Sequence, residues 1–179
     1  MTVERDIQID DIIDRRYRVQ RVVAKGGMGV IFVVRHLFIG ELSALKATVA
    51  AARGRESSRK RLLQEATFLA RCRHSNVVSV FEAGECESYG PYVVMELLRG
   101  RSLEGILGAR RRLPPRDAVG VFIQIAAAVE TAHAAGIVHR DIKPANIFIA
   151  DVDHSGEIPK LLDFGIAADL AGATRLTRD

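Results

Sequence analysis

The most informative part of the sequence is Val138-His139-Arg140-Asp141-Ile142-Lys143-Pro144-Ala145-Asn146. It places an acid, a cation and an amide at short spacings between apolar flanks. Pro144 excludes an ordinary helix, which predicts an irregular loop that directs Asp141, Lys143 and Asn146 at one small volume. A carboxylate there accepts a hydroxyl proton, an ammonium neutralises phosphate and an amide oxygen ligates a hard divalent cation. A charged surface turn is the alternative interpretation.

The composition is that of a soluble globular domain, with 179 residues, 48% hydrophobic and 27% charged, and a net charge of +4. The basic residues fall in scattered groups, at 53–61, 71–73, 99–101 and 110–112. None is interleaved with aromatic residues as a base-stacking surface would be, so solvated helix faces and loops are the preferred interpretation. We therefore expect no nucleic-acid partner.

The cysteine content and the hydropathy pattern both bear on location. Cys72 and Cys86 form no CxxC pair, and no secretory signal precedes Val3, so a reducing cytoplasm is expected. The longest apolar run, residues 119–138, is interrupted by polar residues such as Glu130. It is interpreted as a packed helix, and no membrane segment is expected in this chain.

The first half of the chain has the pattern of a small antiparallel sheet with one helix. Residues 1–16 are polar and are expected to be a poorly ordered lead-in. The segments with strand character are 17–23, 30–34, 44–49, 77–81 and 92–96. A helix is predicted for 57–72, with an apolar face made of Leu62, Leu63, Ala66, Leu69 and Ala70.

The second half is predicted to be rich in helix, with a boundary near Arg99-Gly100. A short helix is expected over 103–107, and a long one runs from Pro114 to about Ala135, with Gly136 as its stop signal. Strands are expected at 147–150 and 160–162. A cleft between two such lobes is a usual place for a small-ligand site.

Glycine is concentrated in the turn between the first two predicted strands. Gly26, Gly27 and Gly29 leave backbone N–H groups open to phosphate oxygens, although a tight hairpin also needs glycine. No helix follows the turn. A strand–turn–strand arrangement argues against a dinucleotide fold or a P-loop, both of which need a helix N-terminus.

Three further charged residues lie at unusual positions. Lys46 lies in an otherwise apolar strand, where a surface-facing lysine is the alternative, and Glu65 lies close to the apolar stripe of its helix. The two would pair if the helix packs on the sheet, and removing one partner of a buried pair typically costs about 3–5 kcal/mol. Asp163 leaves the last predicted strand into Phe164-Gly165, where it could hold a metal.

These motifs together resemble the protein kinases, and in particular the bacterial Ser/Thr kinases of the Hanks type. The resemblance runs from about Tyr17 to Ala168, and its most specific parts are 25–30 and 139–147. It implies an α+β, protein-kinase-like two-lobe fold, with a complete N-lobe (17–98, antiparallel sheet plus one helix). A partial, α-rich C-lobe (99–179) would end in the activation segment.

The resemblance also implies roles for single residues. Asp141 would accept the proton of the substrate hydroxyl, Lys143 would neutralise the transferring phosphate, and Lys46 would hold the α- and β-phosphates of ATP, positioned by Glu65. Mg²⁺ would be held by Asn146 and Asp163. The implied adenine contacts are Met95 as gatekeeper, the backbone of Glu96 and Leu98, and the side chains of Ile31, Ala44 and Phe148. Arg140 would pair with a phosphorylated activation loop, in which Thr174 and Thr177 are candidate sites.

Three departures from the family pattern qualify this interpretation. One is a lengthened hairpin at 151–157, which is better interpreted as a turn than as a calcium-binding loop. Ala24 replaces the first glycine of the phosphate loop, from which we expect a weakened grip on ATP. The sequence stops at Asp179, inside the activation segment, which suggests a kinase fragment with an exposed apolar face over 119–135.

The predicted function is therefore a Ser/Thr protein kinase that transfers the γ-phosphate of Mg-ATP to protein hydroxyls in signalling. A non-catalytic nucleotide-binding or interaction module is the alternative. A small-molecule kinase is disfavoured by the Lys143-Pro144 spacing.

Overall fold

The structure is a computed structural model that describes residues 6–26, 29–48, 56–152, 156–162 and 168–169. Its contacts divide the chain into two compact units. The first unit contains Met1–Ala66 and Val80–Leu97, and the second contains Thr67–Ser79 and Leu98–Asp179. The predicted lobe boundary after residue 98 remains a prediction, since the second unit also takes in a segment from the first half.

The first unit is built on a six-stranded sheet in which every neighbouring pair is antiparallel. Its strands are β1 (Ile12–Ile13), β2 (Tyr17–Gly26), β3 (Gly29–His36), β4 (Leu42–Ala47), β5 (Val80–Cys86) and β6 (Gly90–Met95). They lie in the order β1-β2-β3-β4-β6-β5. Helix α1 (Glu56–Arg71) follows β4, and its last turn belongs to the second unit. The predicted antiparallel sheet with one helix is confirmed.

One face of this sheet carries the core of the first unit. Alternating residues of neighbouring strands, among them Val19, Phe32, Val34 and Leu45, are buried together. Full burial of such a side chain contributes about 1.5–3 kcal/mol, so this face provides most of the cohesion of the sheet. The alternation of apolar and polar residues in the sequence thus corresponds to the buried and exposed faces of the sheet.

For residues 6–16 the expectation of a poorly ordered lead-in is wrong. Ile12 and Ile13 form β1, which pairs with the start of β2. Ile7 and Ile13 are buried in the core of the first unit. Two isolated apolar residues among acids produce no readable period, which is why the sequence pattern missed this strand.

Arg16 fixes this segment to the far edge of the sheet. Its guanidinium donates to both carboxylate oxygens of Glu82, at 2.8 and 2.7 Å, and forms an ion pair with Asp14. The hydroxyl of Tyr92 donates to Asp14 Oδ2 at 2.7 Å. Hydrogen bonds from Tyr92 and Arg16 lower the pKa of Asp14, while burial and these acids raise the pKa of Tyr92. The network joins three separate segments of the chain.

Two details of the first half differ from expectation. The strand predicted for 77–81 begins only at Val80, because Val77 instead makes a parallel bridge to Leu161 within the second unit. On α1 the buried stripe consists of Leu62, Ala66 and Leu69, whereas Ala70 is exposed. The i, i+4, i+7 spacing of the buried residues is that of one helix face.

The second unit combines two helices and short strands around the loop that contains Asp141. Its elements are β7 (Gly100–Ser102), α2 (Leu103–Arg110), α3 (Pro115–Ala134), β8 (Ile137–Val138), a 3₁₀ turn (Pro144–Asn146), β9 (Ile147–Val152), β10 (Gly156–Leu161) and β11 (Ala168–Asp169). One sheet has the order β10-β9-β7, and β11 pairs with β8. Both predicted helices are confirmed. The strands β7, β8 and β11 are too short for a hydrophobic period to reveal them.

Helix α3 is apolar on two sides, and only one of them is buried. Ile125, Ala128 and Ala132 are buried, whereas Phe122 and Ile123 are 60% and 64% exposed. The expected exposed apolar face is therefore present in the part of the chain that the structure describes. Among those same residues, no helix has the length and apolar content needed to cross a bilayer.

Gly100 is a position where we expect a strong effect of a single methyl group. Its φ is +132°, and a Cβ would lie 2.0 Å from the backbone oxygen of Ile149. Gly100→Ala should therefore push β7 off β9 and lower the free energy of unfolding by more than the ~1–3 kcal/mol of backbone strain alone. Gly156→Ala is the matched control, since Gly156 also has a positive φ, +81°, but open space around it. Equal losses in urea denaturation would contradict the steric explanation.

Candidate active site

The loop between β8 and β9 is irregular, as its sequence predicts. Lys143 is extended, with φ −152° and ψ 162°, as expected for a residue before proline. Pro144 then opens a single 3₁₀ turn, closed by a hydrogen bond from Asn146 N to Lys143 O at 2.9 Å. The proline tolerates the first position of this turn because its missing N–H has no partner there.

This loop brings together three side chains, Asp141, Lys143 and Asn146, which we call the catalytic cluster. Asp141 Oδ2 accepts from Lys143 Nζ at 2.9 Å and from Asn146 Nδ2 at 3.0 Å. Asn146 Nδ2 also donates to the backbone oxygen of Asp141 at 2.8 Å. Both hydrogens of the amide are thus used. Asp141 Oδ1 and Asn146 Oδ1 have no hydrogen bond within the described residues, so each can take a ligand.

The buried side chain of His139 supports this cluster. No role was assigned to this residue from the sequence. It is 1% exposed. Its Nδ1 accepts from the backbone N–H of Asp141 at 3.2 Å, and Nε2 lies 2.9 Å from the oxygen of Leu162. These partners define the neutral tautomer with hydrogen on Nε2. The feature of the sequence that could have revealed this role is a histidine placed between an apolar flank and an acid.

Leu162 is held by the loop a second time, because its N–H donates to Asn146 O at 2.8 Å. The chain segment that precedes Asp163 is therefore bound to both ends of the loop, through His139 and through Asn146. Asp163, Phe164 and Gly165 themselves lie outside the described residues, as do Thr174 and Thr177.

Arg140 has a backbone conformation that is unusual for its residue type. Its φ is +62°, in the left-handed region, and its side chain is exposed. Such a conformation costs a non-glycine residue of the order of 1–2 kcal/mol and is concentrated at functional sites. The turn at Arg140 separates the buried His139 from the partly exposed Asp141.

The charge of Asp141 is fixed by its neighbours. The hydrogen bond from Lys143, followed by that from Asn146, lowers the pKa of Asp141 below its ordinary value of 3.8. The carboxylate is therefore ionised across the neutral range. Its contribution to stability is complete above the unfolded pKa and is lost as the pH falls through the lower folded pKa.

Lys143→Gln should raise the pKa of Asp141 towards its ordinary value, because it removes the largest cause of the shift. The Asp141 carboxyl carbon can be followed by NMR from pH 2 to pH 6. Lys160→Gln, in β10, is the control and should leave the titration of Asp141 unchanged. An Asp141 titration identical in the Lys143→Gln chain would contradict the ion pair.

Lys46, in the first unit, is buried in the sheet. It lies in β4 between Ile31 and Val93 in the strand register, and it is 4% exposed. The alternative of a surface-facing lysine is therefore wrong. A buried ammonium needs an anionic or polar partner. Glu65 lies on α1, but its side chain is outside the described part, so the predicted pair remains a prediction.

The glycine-rich turn connects β2 directly to β3. Gly26 pairs with Gly29, with Gly27 and Met28, which are not described, between them. A Cβ on Gly29 would lie 2.4 Å from Ala47 O, so only glycine permits this approach to β4. The predicted strand–turn–strand arrangement is confirmed, and it differs from a loop that ends in a helix N-terminus.

The residues predicted to contact adenine are divided between the two units. Ala44 pairs with Met95 across β4 and β6, and both are buried. The remaining members of the first unit are Ile31 and Glu96, and those of the second are Leu98 and Phe148, all partly buried. Their convergence on one ligand remains a prediction.

A curled antiparallel sheet with one helix, followed by an α-rich unit that holds an Asp–Lys–Asn loop, defines the α+β fold of protein kinases. The profile of the protein kinase domain matches residues 17–178. The chain belongs to this family, and the resemblance to bacterial Ser/Thr kinases of the Hanks type is confirmed.

The relatives are bacterial. The chain is 35% identical over 166 residues to a probable serine/threonine-protein kinase, PknB, of Corynebacterium glutamicum, covering 91% of this chain and 25% of that protein. It is 36% identical over 162 residues to PrkC of Bacillus subtilis, covering 90% of this chain and 24% of that protein. The chain thus spans about a quarter of the length of these relatives.

Solved structures give the same fold. The kinase domain of PknI from Mycobacterium tuberculosis is 25% identical, with a TM-score of 0.75, covering 91% of this chain and 64% of that domain. Protein kinases in general use ATP and a divalent metal.

Proposed function

We propose that this chain is a Ser/Thr protein kinase that transfers the γ-phosphate of Mg-ATP to Ser and Thr hydroxyls of proteins. The observation that carries the proposal is the catalytic cluster. Asp141, Lys143 and Asn146 are joined by hydrogen bonds of 2.8–3.0 Å, and one oxygen of the acid stays open to a substrate.

Each member of the cluster has a separate part in the reaction. Asp141 Oδ1 orients the acceptor hydroxyl and takes its proton, while Oδ2 is kept in place by two donors. A lowered pKa makes Asp141 a weak base, so its main effect is orientation. Lys143 is half exposed and can move from Asp141 to the phosphate oxygens as negative charge develops there.

The hydrogen bonds of Asn146 support a place for Mg²⁺. Because Nδ2 donates twice to Asp141, the amide oxygen is turned away from these two acceptors, and it is a hard ligand of the kind that Mg²⁺ prefers. Asp163 is the proposed second ligand. The metal supplies charge neutralisation of the phosphates when bound.

The first unit is proposed to bind the nucleotide. Lys46, positioned by Glu65, holds the α- and β-phosphates, and the backbone of Gly26, Gly27 and Gly29 covers them. The proposed adenine contacts in this unit are Ile31, Ala44 and the backbone of Glu96, and those proposed for the second unit are Phe148 and the backbone of Leu98. The buried position of Lys46 supports this part of the proposal.

Phosphate transfer to matched peptides tests the choice of acceptor. Three peptides differ only in the acceptor, which is Ser, Thr or Tyr, and each is incubated with the chain and Mg-ATP. We expect phosphate on the Ser and Thr peptides and none on the Tyr peptide, because the relatives of the chain are named as serine/threonine-protein kinases. Transfer to Tyr alone would overturn the proposal.

A non-catalytic nucleotide-binding or interaction module is the second candidate. The exposed apolar side of α3, with Phe122 and Ile123, favours it, because an exposed apolar patch often marks a binding surface. Such a module would show a melting temperature raised by Mg-ATP without any phosphate transfer.

We also propose a cytoplasmic location. Cys72 and Cys86 are both free thiols, as expected in a reducing compartment, and ATP is available there. Signalling is the proposed process, with protein substrates as the partners.

A further inference from the structure

Residues 99–116 carry one of the two dense groups of positive charge in the sequence. Residues 99–116 contain six arginines and one glutamate, a net charge of +5, whereas the whole chain carries only +4. The second group, residues 53–61, has five basic residues and one glutamate, and most of its side chains lie outside the described ones. We call the six residues the arginine surface: Arg99, Arg101, Arg110, Arg111, Arg112 and Arg116.

All six arginines are exposed, and none has an ion pair or a side-chain hydrogen bond within the described residues. This contrasts with Arg16, which is held by Asp14 and Glu82 in the first unit. Glu104 is the one acid in the segment. Like charges of this density repel one another, and an anionic partner would relieve that repulsion.

Arg101 and the helix that ends at Arg110 both lie close to the catalytic loop within the second unit. Arg101 lies opposite Ile149, and Ser102 lies opposite Phe148, two residues after Asn146. From strand geometry, Ser102 and Asn146 are within about 10 Å of each other. Helix α2 packs against the 3₁₀ turn of the catalytic loop. A substrate segment that extends from the catalytic cluster can therefore reach Arg101, and the neighbouring helix α2 leads on to Arg110.

Structural explanations account for only part of the surface. Arg110 lies in the last turn of α2, where a cation complements the helix dipole. Arg101 lies on the edge strand β7, where a charge prevents pairing with another chain. Neither explanation requires the other four arginines.

We propose that the arginine surface binds an acidic segment of the protein substrate, next to the residue that receives phosphate. The proposal rests on the proposed kinase function, because it calls the partner a substrate. The binding itself does not require catalysis. Residues 99–116 contain no aromatic side chain on which a nucleic-acid base could stack. The apolar residues Leu103 and Ile106 of α2 are buried, so no apolar face is left there for a lipid surface.

Binding of a fluorescent peptide with six glutamates and no hydroxyl residue tests the proposal without catalysis. Its partner peptide has glutamine at the same positions. The 179-residue chain should bind the acidic peptide and not the neutral one, and binding should weaken as salt is raised. Arg99→Gln/Arg101→Gln and Arg110→Gln/Arg112→Gln should each weaken it by about fivefold, as expected for two exposed ion pairs.

Arg18→Gln/Arg21→Gln is the matched control, since these arginines are exposed on β2 of the first unit. It should bind the acidic peptide as the unsubstituted chain does. A second readout needs no variant: free polyglutamate should raise KM for an acidic Ser peptide and leave kcat unchanged. Failure of phosphate transfer with intact peptide binding would count against the kinase function alone.

The proposal is overturned if the acidic and neutral peptides bind alike, or if the control variant weakens binding as much as the other two. It is also overturned if a single-stranded oligonucleotide, or a vesicle containing phosphatidylserine, binds more tightly at equal charge and loses binding in the same variants. Either result would assign the arginine surface to a different class of partner.

Discussion

Asp141→Asn should lower the rate of phosphate transfer by about 10²–10⁴-fold, which is the usual contribution of a positioned acid–base group. Asparagine keeps the size of the side chain but cannot accept a proton. It also replaces one acceptor oxygen by a donor, so it loses the ion pair with Lys143 that measures 2.9 Å. The rate is measured under single-turnover conditions with a Ser peptide.

Asp151→Asn is the control for this substitution. Asp151 is exposed on β9 in the same unit, and its side chain has no described ion pair. Its rate should equal that of the unsubstituted chain. If Asp141→Asn retained the full rate, the catalytic cluster would not be the site of the reaction.

Lys46→Met should abolish most of the stabilisation that Mg-ATP gives the chain and should lower the transfer rate by about 10²–10³-fold, the loss typical when one charge-stabilising donor is removed. Methionine fills the same space in β4 without a charge. Loss of one partner of the proposed Lys46–Glu65 pair should lower the free energy of unfolding by about 3–5 kcal/mol, so the effect of Mg-ATP is measured against the nucleotide-free melting temperature of each chain. The side chain of Lys46 is 4% exposed, so the substitution changes a buried position in the sheet.

The measurement is the melting temperature with and without Mg-ATP, since a ligand that binds only the folded state raises it. Lys60→Met, on the exposed side of α1, is the control and should keep the full rise. A Lys46→Met chain with an unchanged nucleotide effect would contradict the proposed role of Lys46.

The parts of the fold that could be predicted from sequence are those with a hydrophobic period of sufficient length. The strands β2, β3, β4 and β6 and the three described helices each show one, and their positions agree with the structure within a few residues. The catalytic loop was also predictable, because Pro144 excludes a helix and the chemistry of its residues converges.

What sequence could not supply depends on contacts between distant segments. Ile13 is buried because β1 pairs with β2, and Val77 leaves its expected strand because Leu161 binds it. The role of His139 depends on Leu162, which lies 23 residues further along the chain. The pattern of residue types along one segment carries no information on partners that lie in distant segments.

The burial of Lys46 and the backbone conformation of Arg140 could not be predicted for the same reason. The sequence shows that Lys46 is in an apolar strand but not which side of the strand it faces, because its burial depends on the layer that covers it. Arg140 adopts a left-handed conformation that its residue type disfavours, and only the surrounding structure imposes it.

The intact mass of a Ser/Thr protein substrate, after incubation with the 179-residue chain and Mg-ATP, tests the central proposal most directly. We predict added phosphate groups with the unsubstituted chain and, over the same incubation time, about 10²–10⁴-fold less phosphate with Asp141→Asn. Unchanged substrate mass, from a chain whose melting temperature Mg-ATP still raises, would contradict the kinase function and favour the non-catalytic nucleotide-binding module.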